Sequence, residues 1–214
     1  MDIIKDIKNN YCIKRKEINS RLEEFKRIFA SGSEKDVFTE LVFCILTPQS
    51  KAKYCWDAVN KLLNKNLLLK GAYRQVLKEL NYTRFKYKKA KFIIGARKLF
   101  FVSGKIIIKQ RIKQFKNVDD AREWLVDNVK GIGFKEASHF LRNIGLGDNL
   151  AILDRHILKN LKLFGVIKEI PGSLTKRKYY EIEDKIRKFS RKIDIPVNSL
   201  DLLLWYKETG EIFK

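Results

Sequence analysis

The chain is poor in the residues that punctuate or cross-link a fold. Of 214 residues only 3 are proline and 11 glycine, too few for the repeated turns of an all-β protein. The cysteines are Cys12, Cys44 and Cys55, an odd number with no paired spacing, as in proteins that keep their thiols reduced. No C-x-x-C occurs and the only histidines are His139 and His156, so no zinc site, and no other metal site, is expected. The longest apolar runs, such as Leu202–Trp205, fall far short of the roughly 20 residues that span a bilayer. The opening stretch MDIIKDIKNNYCIKRKE has no apolar h-region and no small-residue cleavage site, so no export signal is read there. A cytoplasmic, nucleoid-associated location is expected. No long amphipathic helix with a basic face and a Trp/Leu face is legible, which weighs against attachment to an anionic membrane.

What is abundant is positive charge. Lys and Arg total 46 against 25 Asp and Glu, a formal charge of +21. Releasing condensed counterions from phosphates drives such a surface onto a nucleic acid. Hydrophobic residues make up 45% of the chain, enough for a real core.

The prevailing period is helical. Stripes run through Ile18, Leu22, Phe25, Ile28 and Phe29, and through Val37, Leu41, Cys44 and Ile45 up to Pro48. Others are Trp56–Val59–Leu63, Phe85 to Phe100, Val118–Ala121–Leu125–Val129, and Ala137–Phe140–Leu141–Ile144. Ile157–Leu158–Leu161–Phe164 stops at Gly165, and a last helix runs from about Asn198 to Lys207. Loops fall at 145–149, 168–173 and 194–196. Ile106–Ile108 is the only stretch ambiguous between strand and helix. The fold class is all-α, with about ten helices.

The most specific segment is Val118 to Gly145, a helix, a tight turn V-K-G-I-G and a second helix starting near Phe134. Gly131 and Gly133 allow a sharp turn and close approach to another molecule. Ile132 between them is expected to plug the turn into the core. The free N–H groups of the second helix make an anion site suited to a DNA phosphate. Contacts of that kind position DNA without reading its sequence.

The run V-K-G-I-G-F-K-E-A-S, followed by L-D-R-H-I at Leu153–Ile157, resembles the helix-hairpin-helix, Gly/Pro-loop, aspartate superfamily of DNA glycosylases. In that family a lysine just after the hairpin is the nucleophile and an aspartate follows. Lys135 and Asp154 fall on those positions, 154 − 135 = 19 residues apart. A neutral amine attacking sugar C1′ forms a Schiff base, and β-elimination then cuts the strand. Asp154 also reads as the N-cap of a helix beginning at Arg155. A carboxylate fixed there can stabilise an oxocarbenium-like sugar or help deprotonate Lys135.

Relatives with an iron–sulfur cluster carry four cysteines after the aspartate. Here none follows Cys55, so that cluster is excluded on ligand count, and no other cofactor is expected. A monovalent cation on the hairpin carbonyls stays open. The short C-terminus ending in Lys214 resembles the compact archaeal type of 8-oxoguanine DNA glycosylase/AP lyase, also found in some bacteria. That resemblance implies substrate-binding roles for Phe85 and Trp205 in stacking, and for Asp201 and Lys214 in hydrogen bonding. Asp201 and Trp205 share a helix face at i, i+4, and Asp201 lies in an apolar run where an unpaired carboxylate is costly. Gln49 is assigned as the wedge that fills the gap left by a flipped nucleotide. Lys130, Gly131, Gly133 and His156 complete the expected DNA contacts, while His139 is taken as structural. The basic stretch Arg84–Lys91 can track phosphates or be a solvated helix face.

The resemblance implies a two-lobed molecule with the active-site cleft between the lobes. Residues 35–147 would form the helical barrel carrying the hairpin (about 118–145). Residues 1–34 and 148–214 would form the second lobe, carrying Asp154 and the base-recognition segment. The implied partner is double-stranded DNA with a damaged base, bound by a monomer with no membrane involved. Two rival readings remain: a glycosylase/lyase of the same fold for another lesion, such as an oxidised pyrimidine, and a non-enzymatic DNA-binding hairpin module.

Overall fold

The computed structural model describes residues 3–214. Residues 1 and 2, part of the opening stretch and of the expected second lobe, lie outside the described residues. The described residues form twelve helices and one two-residue hairpin ladder. In order they are α1 (Ile3–Ala30), α2 (Glu34–Leu46), α3 (Ala52–Asn64), α4 (Leu67–Lys70), α5 (Tyr73–Glu79) and α6 (Lys86–Phe100). Next come β1 (Phe101–Val102), β2 (Lys105–Ile106), α7 (Ile108–Lys113), α8 (Val118–Asn128) and α9 (Phe134–Asn143). The chain closes with α10 (Arg155–Leu163), α11 (Lys176–Ile193) and α12 (Val197–Thr209).

The ambiguous Ile106–Ile108 stretch divides between the two states. Phe101 pairs with Ile106 and Val102 with Lys105, antiparallel, and Ile108 opens α7. Helix α11 is long, basic and amphipathic over 18 residues, and its apolar face carries neither Trp nor Leu. Its apolar face, with Tyr179, Ile182, Ile186, Phe189 and Ile193, is buried inside the protein, so that face is not offered to a membrane.

Two hydrophobic clusters organise the packing. One is drawn from Val37 through Leu150, on α2 to α9. The other takes Ile7, Ile18, Leu22 and Phe25 of α1 together with Ala151 through Ile212. Aromatics cross between them: Phe134, at the start of α9, packs on the second cluster, and Phe29 of α1 and Phe213 near the C-terminus pack on the first.

Local sequence explains the joints. Ser33 caps α2, its hydroxyl accepting from Asp36 N while the Asp36 carboxylate accepts from Ser33 N, a reciprocal cap that fixes where α2 begins. Between α8 and α9, Gly131 has φ +89° and a Cβ there would sit 2.3 Å from the Phe92 ring. Only glycine fits that position. Ile132 is buried, as its place in the turn predicts. Among the described residues no helix is long and apolar enough to cross a membrane.

Candidate active site

Lys135 stands in the first turn of α9, directly after the glycine turn. Its Nζ lies 3.1 Å from Glu136 Oε1. The other oxygen of Glu136 accepts from Gly133 N at 3.2 Å. One carboxylate thus ties the hairpin backbone to the lysine ammonium. Lys130 and Gly131 are exposed at the turn.

Asp154 is the N-cap of α10, its Oδ1 accepting from Ile157 N at 2.8 Å. Asp154 N donates to Ile152 O at 2.8 Å. The residues leading to it are fixed by α11. Ala151 N donates to Glu183 Oε1 at 2.7 Å, Tyr179 OH donates to Ala151 O at 2.6 Å, and Leu153 N donates to Tyr179 OH at 3.3 Å. The carboxylate is thereby held from both sides.

Asp201, on α12, is not left unpaired: its Oδ2 meets Arg142 Nη2 of α9 at 3.2 Å, and both side chains are largely buried. Burial pushes its carboxyl up to about 6, against the opposing pull of Arg142. The Asp154 charge raises it further and the Lys135 charge lowers it. The charges of Lys135 and Asp154, the two expected catalytic groups, thus both act on Asp201. Arg142 keeps Nε and Nη1 without a partner, and its ring neighbour is Phe25 at 5.0 Å.

Lys214 is not a frayed end. Its ammonium is buried, pairs with Glu40 of α2, and lies 3.8 Å over the Trp56 ring. Burial lowers the Lys214 ammonium, with Glu40 pulling the other way. Asn143 Nδ2 donates to the second oxygen of Glu40 at 3.0 Å. His139 is buried edge-on to Phe43, in keeping with a structural role.

Trp205 is half-buried on α12 and meets the His156 ring edge-on at 5.5 Å. His156 Nδ1 lies 3.2 Å from Glu208 Oε2. Phe85 and Gln49 stand apart, on two exposed turns. Both are non-glycine residues in the left-handed region, at φ 58° and 53°. Phe85 is 52% exposed, so it is not a core residue.

Comparison with known proteins bears on this arrangement. The family model described as 8-oxoguanine DNA glycosylase matches residues 18–195. The chain belongs to the 8-oxoguanine DNA glycosylase family. A Fusobacterium nucleatum member named 8-oxoguanine DNA glycosylase/AP lyase is 46% identical over 209 residues, covering 98% of this chain and 96% of its own. The structure of the 8-oxoguanine DNA glycosylase of Thermotoga maritima superposes with a TM-score of 0.88 at 35% identity, over 100% of this chain and 99% of that one. The Methanocaldococcus jannaschii 8-oxoguanine glycosylase/lyase, solved with a 15mer DNA containing 8-oxoguanine, also gives 0.88, at 38% identity and full coverage of both chains. The all-α, helix-hairpin-helix glycosylase fold expected from the sequence is thus the fold of this family.

Within the family frame, several residues around the site were not singled out from sequence. Glu40, Arg142 and Glu136 hold Lys214, Asp201 and Lys135 respectively. Arg122, Tyr179 and Glu183 brace the approach to Asp154. The apolar stripe of α11 was a readable signal for the last two. Nothing local marks Arg122 or Arg142 among 46 Lys and Arg.

Proposed function

We propose that this chain excises 8-oxoguanine from duplex DNA and then cuts the strand at the abasic site. Lys135 is the nucleophile: its neutral amine bonds to C1′ as the glycosylic bond breaks and the base leaves with its electron pair. The sugar ring opens to an imine, C2′ loses a proton, and the C3′–O bond breaks in β-elimination. Water then releases the lysine. Asp154, fixed by its cap, stabilises positive charge on the sugar. The observation that carries this reading is the place of Lys135 in the first turn of α9, directly after the glycine turn, with Asp154 fixed as the cap of α10.

Base selection follows from hydrogen-bond polarity. Oxidised guanine presents an N7–H donor where guanine presents a lone pair. Carboxylates, which only accept when ionised, favour the oxidised base. Asp201 supplies one and Lys214 contacts the base beside it, with Trp205 and Phe85 as stacking surfaces. Gln49 enters the helix where the nucleotide leaves. Lys130, Gly131, Gly133 and His156 hold the backbone. We take the two hydrophobic clusters as the two lobes, and the reaction needs no resident cofactor. The enzyme works as a monomer on DNA, in the cytoplasm at the nucleoid.

A panel of duplexes tests the lesion. Each carries 8-oxoguanine, thymine glycol or unmodified guanine opposite cytosine or adenine. Excision of 8-oxoguanine well above the others supports the reading. Excision of the oxidised pyrimidine alone moves the specificity and keeps the mechanism. No excision of any base contradicts the assignment.

A further inference from the structure

Lys89 of α6 is a buried lysine outside the catalytic centre, only 3% exposed. All three of its N–H bonds are used. Nζ donates to Leu46 O at 2.6 Å, to Pro48 O at 2.8 Å and to Ser50 Oγ at 2.9 Å. Ser50 Oγ also accepts from Arg84 N at 2.9 Å. One ammonium thus joins the end of α2, the Pro48-Gln49-Ser50 turn and the Arg84-Phe85 turn. Gln49 and Phe85 are the left-handed residues of those two turns. Such backbone conformations persist in non-glycine residues only where the surroundings over-determine them.

An ordinary helix C-cap would need one bond to Leu46 O and would leave the charge in water. Here the ammonium is taken out of water, at a cost that drives Lys89 down to about 8. Two of its three bonds reach beyond the helix, into the turn. A residue of equal bulk without the charge would fill the space more cheaply. The bonds, not the packing, account for a lysine at this position.

We propose that Lys89 is a positioning residue that holds the Gln49 turn and the Phe85 turn in fixed register, so that one can enter the helix while the other stacks on the extruded base. This rests on the reading that those two residues meet DNA. The hub serves the opening of a paired, stacked duplex. It is not needed once the base is gone.

The test compares two reactions of each variant: single-turnover excision of 8-oxoguanine from a duplex, and borohydride trapping on a duplex with a preformed abasic site. Lys89→Met is expected to slow excision about tenfold or more, the size of effect a misplaced group has, and to leave trapping within about twofold. Ser50→Ala, which cuts only the tie between the turns, is expected to shift the ratio in the same direction by less. The ratio should also fall in the wild type as pH rises through 8, where a neutral amine has lost one donor, and stay flat in Lys89→Met. The groups that face Lys89 are Cys55, Lys135, Arg84 and Glu136. Burial pushes the Cys55 thiol to about 11, and Lys135 is required in both reactions, so it does not set the ratio.

Equal slowing of both reactions, or of neither, overturns the proposal. Should Lys89→Met fail to fold by circular dichroism, an unchanged ratio in Ser50→Ala overturns it. Absence of excision by the wild type contradicts the functional reading itself and the proposal falls with it. Wild-type excision with unchanged variant ratios removes the role of Lys89 alone.

Discussion

Arg122 and Glu183, 61 residues apart, face each other through two parallel hydrogen bonds of 2.7 and 2.9 Å, with both side chains fully excluded from water. Burial works against the Arg122 charge, and the Glu183 carboxylate outweighs it and raises the guanidinium further. The pair sits where the hairpin meets the loop to Asp154. Arg122 is on α8 and also donates to Ser138 of α9 at 3.1 Å, while Glu183 accepts from Ala151 N at 2.7 Å. Ser138 lies three residues past Lys135, one helical turn away. Lys135 and Asp154, the proposed nucleophile and its carboxylate, are thus referred to one buried junction.

Breaking that junction should cost stability and alignment together. Without Glu183, the buried Arg122 keeps only the part-exposed Asp119 carboxylate, 2.6 Å from its Nη2, a loss toward the lower end of the about 3–5 kcal/mol that breaking a buried pair costs. In a chain of this size Glu183→Gln should lower Tm by on the order of 10 °C, read by thermal denaturation. A change below about 2 °C would mean that Asp119 or water compensates the Arg122 charge.

Asp154 combines a cap with a charge, and two substitutions separate them. Asparagine caps a helix about as well as aspartate. Asp154→Asn should therefore keep Tm within a degree or two while base excision falls about a hundredfold or more. Asp154→Ala should lose the same activity and, in addition, about 1 kcal/mol of stability. Full excision in Asp154→Asn would show that the cap, and not the charge, is what matters.

Asp201, as the proposed base contact, should give the reaction an acid limb. Its carboxyl is raised to about 6 by burial, with Arg142 opposing, Asp154 adding and Lys135 opposing. Below that pH it is neutral and ceases to be a pure acceptor. Excision by the wild type should fall as pH drops through 6, and Asp201→Asn should show a lower plateau without that limb. Stability moves the other way. A folded-state value above the unfolded one means the folded protein binds more protons between about 4 and 6, so this group stabilises the fold as pH falls through that window.

The sequence made the hairpin and the cap at Asp154 legible because both are written locally. Two glycines around Ile132 force a turn, and an aspartate before an apolar period starts a helix. The site residues that were named stand on those signals or on the family resemblance. What was missed is non-local or hidden by charge. Glu40 holds Lys214 from 174 residues away, and Arg142 holds Asp201 across two helices. With 46 lysines and arginines in the chain, nothing in the local pattern of Lys89, Arg122 or Arg142 separates a buried cation from a solvated one. The helix α11 was different. Its stripe from Tyr179 to Ile193 has helical spacing and could have been read, bringing Glu183 with it.

The central claim is that Lys135 attacks the sugar. The most direct measurement is borohydride trapping on a duplex with one 8-oxoguanine opposite cytosine, wild type beside Lys135→Gln, with DNA affinity measured for both. The account predicts a covalent adduct with the wild type, none with the variant, and near-equal binding. An adduct that survives in Lys135→Gln would contradict it, as would a wild-type protein that binds the duplex and forms no adduct on 8-oxoguanine or on an abasic site.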